Sequence, residues 1–330
     1  MPVFGNEEHK QRLNLSSLAC SVVEMDRGVM DEGGTLSGFL NRIIDRFWEQ
    51  ADASIDVAVA ERRRQLSQDG FSAEVLEKLL QNYRRVLLQK KEAYPQGQSL
   101  TFRLNNKNFQ YLYEERAEEK NYSAPSKYLK ALVEEYARLS PSERERVYYR
   151  ELIETVLQPA MDAGYLLCVQ MKERTFWVKP YSVTADPFNS HLYLVGMSQP
   201  EGTGEWTIAS FRISRLDKVR HRMRPSGRLT ADDRREIEKK LQSTGVQYLI
   251  GNPEKITLRL TEAGRREFLQ RSYMRPVPEQ VEGDVYTFGC TPMQIRNYFL
   301  SFGANVEILT PQSLRQDFIC AYRQALESYQ

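Results

Sequence analysis

The residues of this sequence that could do chemistry are cationic and aromatic side chains spaced two residues apart. His191 and Tyr193 alternate with two leucines, and Arg212 stands between two apolar residues. Along a strand this alternation turns the leucines to one face and the polar side chains to the other, so all three should point away from the core. A guanidinium binds phosphate through two parallel hydrogen bonds, and an aromatic ring stacks on an unpaired base at about 1 to 3 kcal/mol. Side chains of these types, so exposed, have the chemistry to bind nucleic acid.

Two sets of candidate residues follow in this central region. The first set comprises Arg212, Arg215, Tyr193, His191, Lys179, Tyr181 and Arg174. The second is the basic run after it, with Lys218, Arg220, Arg222 and Arg224. An exposed arginine is usually only a solvated charge, and Tyr193 could equally be a half-buried strand residue. The residues alone favour these ordinary roles, and only the family resemblance given below makes the arginines, more than the histidine, candidates for binding.

The sequence offers little for catalysis. Its three histidines, His9, His191 and His221, are scattered, and no phosphate-binding glycine loop or metal-ligand cluster is present. We therefore expect no enzyme activity, no metal and no cofactor. The cysteines are widely spaced and should be reduced core thiols; they are Cys20, Cys168, Cys290 and Cys320.

Composition limits the class of protein further. Hydrophobic residues make up 41% and charged residues 27%, which excludes a mainly disordered chain. The formal net charge is only +2, so a nucleic-acid partner must be argued from where the cations lie. No apolar run approaches the ~18 residues that span a bilayer, and no signal peptide is evident, so we expect a cytoplasmic protein without a membrane partner.

The secondary-structure elements that the sequence predicts begin near the N-terminus. Residues 10–15 alternate polar and apolar as a short strand with one exposed face. A helix with Leu18, Val22 and Met25 at helical spacing follows, then Gly33-Gly34 and a longer helix with Thr35 as N-cap. This order, with Leu-Ser-Gly-Phe-Leu-Asn-Arg-Ile-Ile at 36–44, resembles the ribbon-helix-helix family of DNA-binding proteins.

A second copy of this unit is predicted within the chain. Arg103-Leu104-Asn105 repeats Arg12-Leu13-Asn14, and Phe109 and Tyr113 match Leu18 and Val22 at the same offset. In the later helix Tyr128, Leu129, Leu132, Val133 and Tyr136 match Phe39, Leu40, Ile43, Ile44 and Phe47. The repeats span 10–50 and 99–140 of a domain at 1–150, with further helices near 53–67 and 72–92. The alternative to an internal repeat is that the two segments are unrelated strand-helix-helix elements that only pack in the core.

The resemblance assigns a set of DNA-facing candidates. Family members pair the strands of two copies into an antiparallel ribbon that enters a DNA groove. The ribbon candidates here are Lys10, Arg12, Asn14, Thr101, Arg103 and Asn105. Whether the two units pair within one chain or between chains is open at this stage.

The central region changes character. Four alternating, aromatic-rich runs, at 165–171, 175–183, 191–197 and 206–213, predict short strands in a bent barrel. The blocks at 174–181, 192–196 and 211–216 resemble the WYL domain, with Leu192 where the family has tryptophan. That resemblance implies a Sm-like small β-barrel at 154–224, a sensor module that binds nucleic acid or a small effector.

The C-terminal region alternates strand and helix and predicts a small α/β sandwich at 245–330. Residues 297–309, followed by Pro311 and Leu314-Arg315, resemble the C-terminal extension that commonly follows WYL domains. In that family the extension assists oligomerisation, which implies a homodimer. The complete chain is therefore predicted to be of the α+β class.

Three functions agree with the sequence. The combination resembles the accessory WYL proteins of type VI-D CRISPR-Cas systems, which implies binding of single-stranded RNA, possibly DNA, and stimulation of an RNA-guided CRISPR ribonuclease. The first alternative is a transcription regulator that reads duplex DNA with its ribbon and senses an effector with its barrel. The second is an assembly protein without a nucleic-acid partner.

Overall fold

The computed structural model divides the chain into two compact units, Met1–Thr155 and Val156–Gln330, which are described separately. The structure describes residues 9–68, 70–94, 97–116, 124–222, 226–249 and 253–329. Both helices and antiparallel sheets are present, which confirms the α+β class.

A two-stranded ribbon starts the N-terminal unit. Strand β1 (Lys10–Leu15) pairs antiparallel with β2 (Gln98–Arg103), and Arg12 stands opposite Thr101. In β1 exposed and buried residues alternate strictly, as a period of two requires when one face is covered. The two strands therefore pair within one chain.

Helices fill the rest of the N-terminal unit. They are α1 (Ser17–Met30), α2 (Leu36–Ser67), α3 (Ala73–Glu92), α4 (Asn106–Gln110), α5 (Pro125–Arg138), α6 (Pro141–Tyr148) and α7 (Arg150–Leu152), with π-helical turns at Tyr111–Arg116 and Ile153–Leu157. The predicted cap is confirmed, because the Thr35 side chain accepts a hydrogen bond from the Gly38 amide at the start of α2. The helix expected near 53–67 is the continuation of α2 and not a separate element.

The core of this unit agrees with one half of the proposed repeat. All ten matched residues of α2 and α5 are buried. The matched residues of the shorter helices differ in burial, since Leu18 is 58% exposed whereas its counterpart Phe109 is buried. Helix α1 instead buries a face of small residues that includes Ala19, Cys20 and Val23, and it turns Leu18 and Met25 outward. The structure does not confirm a ribbon-helix-helix arrangement beyond these elements.

The first part of the C-terminal unit is a five-stranded antiparallel sheet preceded by helix α8 (Gln158–Ala163). Its strands are β3 (Leu166–Met171), β4 (Arg174–Ala185), β5 (Leu192–Pro200), β6 (Thr207–Arg212) and β7 (Lys218–Arg222). They follow the order β6-β5-β4-β3-β7, and a turn of 3-10 helix at Ile213–Arg215 precedes the last strand. That last strand returns to pair with the first.

Two expectations for this region need correction. The sequence pattern predicts four strands, but the basic run after Asp217 forms a fifth, because its backbone pairs with β3 from Gln170 to Leu166. In the described residues no pairing joins the outer strands β6 and β7, so the predicted closed barrel is not seen.

A second, four-stranded sheet lies in the last part of the chain. Its strands are β8 (Glu254–Leu260), β9 (Gln280–Glu282), β10 (Val285–Cys290) and β11 (Val306–Thr310), in the order β11-β8-β10-β9. Helix α9 (Ala231–Thr244) and a 3-10 turn (Val246–Tyr248) precede this sheet, and helices α10 (Glu262–Gln270), α11 (Pro292–Phe299) and α12 (Gln312–Glu327) pack with it. An aromatic core that includes Phe268, Phe288 and Phe299 holds sheet and helices together.

The cysteines and the helix lengths complete the description. All four cysteines are free thiols; Cys20 and Cys290 are buried, Cys168 is half-buried and Cys320 is exposed on α12. The expectation that all are core residues is therefore wrong for Cys320. Within the described ranges, every helix is too short or too polar to cross a bilayer.

Candidate nucleic-acid interface

The ribbon of β1 and β2 presents its polar residues on one exposed face. Lys10 stands opposite Arg103, and Arg12 opposite Thr101, so these side chains lie on the same side of the ribbon. Each of them is exposed, and so is Asn14. The Arg12 Nε donates a hydrogen bond to the Ser99 Oγ at 2.7 Å. The ribbon face thus carries three cations, and none of the described strand positions on it is acidic.

The opposite face of the ribbon and the first two turns of α2 hold it in place. Leu13, Leu15 and Phe102 are buried in the core of the unit. The Asn41 side chain donates to the Arg103 carbonyl at 2.8 Å and accepts from the Asn105 amide at 2.9 Å. These bonds fix the end of β2 on the helix, so the exposed cations stand on a rigid support.

One of the six ribbon candidates has a different role. The Asn105 side chain accepts a hydrogen bond from the Asn108 amide at 2.7 Å and caps helix α4. A side chain that satisfies a helix N-terminus is held by local structure. The structure gives Asn105 this capping role, whereas the other five candidates project from the ribbon face.

In the five-stranded sheet, one face of β7, β3 and the first half of β4 carries four cations, three of them on β7 and one on β4. We call it the cationic sheet face and define it by its residues: Lys218, Arg220 and Arg222 on β7, Leu166, Cys168 and Gln170 on β3, and Thr175, Trp177 and Lys179 on β4. The register places Arg220 opposite Cys168, and Cys168 opposite Trp177. All three β7 cations are exposed, and none of these nine described positions is acidic.

The same side of the sheet is covered farther along, at β5 and β6. There Val195, Met197 and Ile208 are buried against Ile237 of α9 and Val246 of the 3-10 turn, a group that we call the α9 cluster. Leu192 and Leu194 are buried on the other side, as alternation predicts. The side opposite the leucines is therefore only partly open to solvent, because α9 packs on it.

The covered part of the sheet contains the central pair of the first candidate set. Tyr193 stands opposite Arg212 on neighbouring strands, and both side chains are half-buried. Tyr193 packs against the α9 cluster. The structure thus brings these two residues together beside packed apolar groups and away from the open cationic sheet face.

The remaining candidates of that set are dispersed. Arg215 is exposed on the 3-10 turn, and Arg174 is exposed where β4 begins. The half-buried His191 donates its backbone amide to the Asp186 Oδ2 at 2.7 Å. The Tyr181 hydroxyl donates to the Glu238 Oε1 of α9 at 2.8 Å, and this hydrogen bond, together with burial, raises the pKa of Tyr181.

Lys179 joins the two parts of this side of the sheet. Its position belongs to the cationic sheet face, and its Nζ lies 4.5 Å from the centre of the Trp206 ring. Trp206 packs against the α9 cluster. Of the second candidate set, Lys218, Arg220 and Arg222 share one face, whereas Arg224 lies outside the described residues.

Sequence reasoning missed Trp177, which lies near the centre of the cationic sheet face. The ring is half-buried, and the Arg222 guanidinium carbon lies 4.3 Å above its centre. The neighbouring Val178 is fully buried on the opposite side. The alternation of Phe176, Trp177 and Val178 could have placed the tryptophan on the outer face. The cations of β7 beside it could not be predicted, because the sequence did not indicate that residues 218–222 form a strand.

The histidines occupy separate positions in the fold. His9 stacks on Phe109 with ring centres 4.3 Å apart, and His221 stacks on Tyr165 at 5.6 Å. In the described part of the chain, no three His, Cys, Asp or Glu side chains lie close enough together to hold a metal ion.

Comparison with known proteins identifies a family match in the last part of the chain. Residues 252–326, which contain the four-stranded sheet and its helices, match the WCX domain family. This match falls on the segment that resembles the extension of WYL proteins, and it agrees with that resemblance.

The complete chain has the fold of a solved protein described as CRISPR Cas-related. The two chains are 22% identical, with a TM-score of 0.76 over 100% of this chain and 95% of that one. Proteasome accessory factor B/C (PafBC) of Arthrobacter aurescens aligns at 13% identity with a TM-score of 0.28, over 100% of this chain and 52% of that one. No curated protein sequence matches the chain.

Proposed function

We propose that this protein is a non-catalytic, cytoplasmic regulator that binds single-stranded RNA through its five-stranded sheet and stimulates an RNA-guided CRISPR ribonuclease. The observation that carries the proposal is the cationic sheet face, where three exposed cations of one strand stand in a row among neutral neighbours. The similarity in fold to a CRISPR Cas-related protein supports the choice of ribonuclease partner.

The physical reason lies in the spacing along β7. Alternate residues of a strand are about 6.6 Å apart, so Lys218, Arg220 and Arg222 form a cationic row about 13 Å long. A phosphate backbone that lies along such a row releases bound counterions, and this release drives association at low salt. A net charge of +2 for the chain hides this local concentration of positive charge.

Salt-dependent binding tests the proposal. For a single strand, the slope of log K against log salt is about −0.7 per phosphate contact, so replacing the three β7 cations by glutamine should reduce the slope by about 2. The control variant replaces three exposed cations of the α2–α3 pair, namely Arg64, Arg85 and Lys90, and loses the same charge. An equal change in both variants would show that net charge alone drives binding and would reject the site.

A cleavage assay addresses the regulatory part. The protein is added to an RNA-guided CRISPR ribonuclease with its guide and target RNA, and the rate of target cleavage is measured. We expect the wild-type protein to increase the rate and the β7 variant to lose this effect. An unchanged rate with the wild-type protein would reject stimulation while leaving RNA binding to the titration.

A second candidate function, operator recognition in duplex DNA, is favoured by the ribbon face. A two-stranded ribbon fits the major groove, and Lys10, Arg12 and Arg103 stand exposed on one side of it. Preference for duplex DNA over single strands, lost when Arg12 and Arg103 are replaced by alanine, would favour this function. Failure to bind any nucleic acid would leave an assembly role.

The homodimer that the WYL resemblance implies is part of the proposal. Light scattering across a concentration series gives the molar mass in solution. A mass of twice the 38.4 kDa chain supports it, and a mass that stays at one chain up to high concentration rejects it.

A further inference from the structure

The position of Trp177 distinguishes it from the other tryptophans. Its neighbours on β4, Phe176 and Val178, face the interior, where Phe176 makes an edge-to-face contact with Phe211. Trp177 itself lies on the cationic sheet face, between Cys168 of β3 and Gln199 of β5 in the register of the sheet. A large aromatic ring that is not in the core, with a row of cations two strands away on β7, is a surface that can stack on bases.

The contact above the ring is with a side chain that can leave it. The Arg222 guanidinium covers Trp177 at 4.3 Å, and Arg222 is exposed. At an exposed site such a contact contributes a factor of about 2 to 5 to an equilibrium constant, whereas stacking of one base contributes about 5- to 150-fold. A base can therefore replace the guanidinium on the ring, and Arg222 is then free to bind the adjoining phosphate.

We propose that Trp177 is a base-stacking site for single-stranded nucleic acid, in which one unpaired base lies on the indole while the backbone follows Lys218, Arg220 and Arg222. This inference rests on the proposed function and adds to it the position and the form of the ligand. A paired base in a duplex cannot present its face to the ring, so the site takes unpaired strands. Because every base has a stacking face, the site discriminates weakly among sequences.

Trp206 provides a matched comparison within the same sheet. It also lies beneath a cation, Lys179, at 4.5 Å, but it packs against the α9 cluster. The third tryptophan, Trp48, is in the N-terminal unit, where its ring centre is 4.7 Å from that of Tyr111. The chain contains three tryptophans, so replacing Trp48 and Trp206 by phenylalanine leaves Trp177 as the sole indole emitter.

The first experiment observes the ring directly in this single-tryptophan protein. It is titrated with oligouridylate of about 12 nucleotides, with oligodeoxythymidylate of the same length, with an abasic oligomer carrying the same phosphates, and with duplex DNA. We expect quenching of the Trp177 emission by the two single strands and little change with the abasic oligomer or the duplex. Their ratio distinguishes RNA from DNA as the preferred source of the base.

The second experiment measures affinity in otherwise wild-type protein. Trp177→Ala should weaken oligouridylate binding by about 5- to 150-fold without changing the salt slope, since the phosphate contacts remain. Trp177→Phe should retain most of the affinity, and Trp206→Phe should bind as the wild type does. Should Trp177→Ala fail to fold, the quenching titration and Trp177→Phe still test the site.

The outcomes separate this inference from the proposed function. Wild-type binding of oligouridylate with unchanged Trp177 emission, or with an unchanged affinity of Trp177→Ala, overturns the stacking site and leaves RNA binding intact. An equal loss of affinity for the abasic oligomer in Trp177→Ala also overturns it, because the effect is then on charge or on the sheet. If the wild-type protein binds none of the probes, the proposed function fails and the inference fails with it.

Discussion

The buried ion pair of the N-terminal unit supports a quantitative prediction about stability. The Arg144 Nε of α6 donates to the Asp26 Oδ2 of α1 at 2.7 Å, and the Tyr136 hydroxyl of α5 donates to the same oxygen at 2.8 Å. The side chains of Arg144 and Asp26 are 10% and 9% exposed. Three helices thus meet at one carboxylate, and we choose Asp26→Ala as the perturbation.

The magnitude follows from the groups that this change leaves behind. Removing one member of a buried ion pair costs about 3 to 5 kcal/mol, because the other charge stays buried without compensation. The Tyr136 hydroxyl loses its acceptor as well, so we expect the upper part of that range. With an m-value of about 2 kcal/mol/M, a loss of about 4 kcal/mol lowers the urea midpoint by about 2 M.

Urea unfolding followed by Trp48 fluorescence measures the effect in the correct unit. Replacing Trp177 and Trp206 by phenylalanine in every variant leaves Trp48 as the reporter of the N-terminal unit. Glu74→Ala is the control, since its ion pair with Lys78 is exposed and should contribute less than about 1 kcal/mol. Replacing both charges, as Asp26→Leu with Arg144→Met, should recover at least half of the loss, because no buried charge is then left unpaired.

A midpoint for Asp26→Ala within the range of the Glu74→Ala control would refute this reasoning. It would mean that the Arg144 guanidinium reaches water when its partner is removed. Strict additivity of the two single substitutions in the double variant would also contradict it, since groups in direct contact should show coupling.

Three further predictions concern pH, the ribbon and the sheet. Burial, and then the neighbouring Asp26, raise the pKa of Tyr136 above its unfolded value of about 10. The stability that the protonated Tyr136 contributes is therefore complete below about pH 10 and is lost progressively above it. Above pH 10 the free energy of unfolding should fall by about 1.4 kcal/mol per pH unit, and Tyr136→Phe should reduce this slope. Alanine in place of Lys10, Arg12 and Arg103 should reduce the salt slope of duplex DNA binding by about 3, and an unchanged slope would exclude the ribbon as a phosphate contact. Gly196→Ala should destabilise the C-terminal unit by about 1 to 3 kcal/mol, because its methyl group would collide with the Lys179 carbonyl; unaltered melting followed by Trp206 fluorescence would contradict this.

Local patterns in the sequence predicted the helical elements and the C-terminal domain. The apolar spacing of α2 and the Thr35 cap depend on residues within a few turns of one another, so both can be recognised from the sequence without knowledge of the tertiary structure. The same is true of the strands β3 to β6, whose alternation is visible in each segment, and of the segment that matches the WCX family. The face of α1 was predicted incorrectly because small residues pack inside and larger ones remain outside, which reverses the usual hydrophobic signal.

Only the tertiary structure decided which side chains form the two cationic faces. Lys-Val-Arg-His-Arg after Asp217 is a basic run in the sequence, and it becomes a strand because β3, nearly fifty residues earlier, supplies the backbone partners. The register then turns Lys218, Arg220 and Arg222 to the side of Trp177, whereas a shift by one residue would turn them inward. The ribbon likewise needs two strands that are far apart in the chain. Pairing and register are non-local, and for that reason the residue types were evident from the sequence while their arrangement was not.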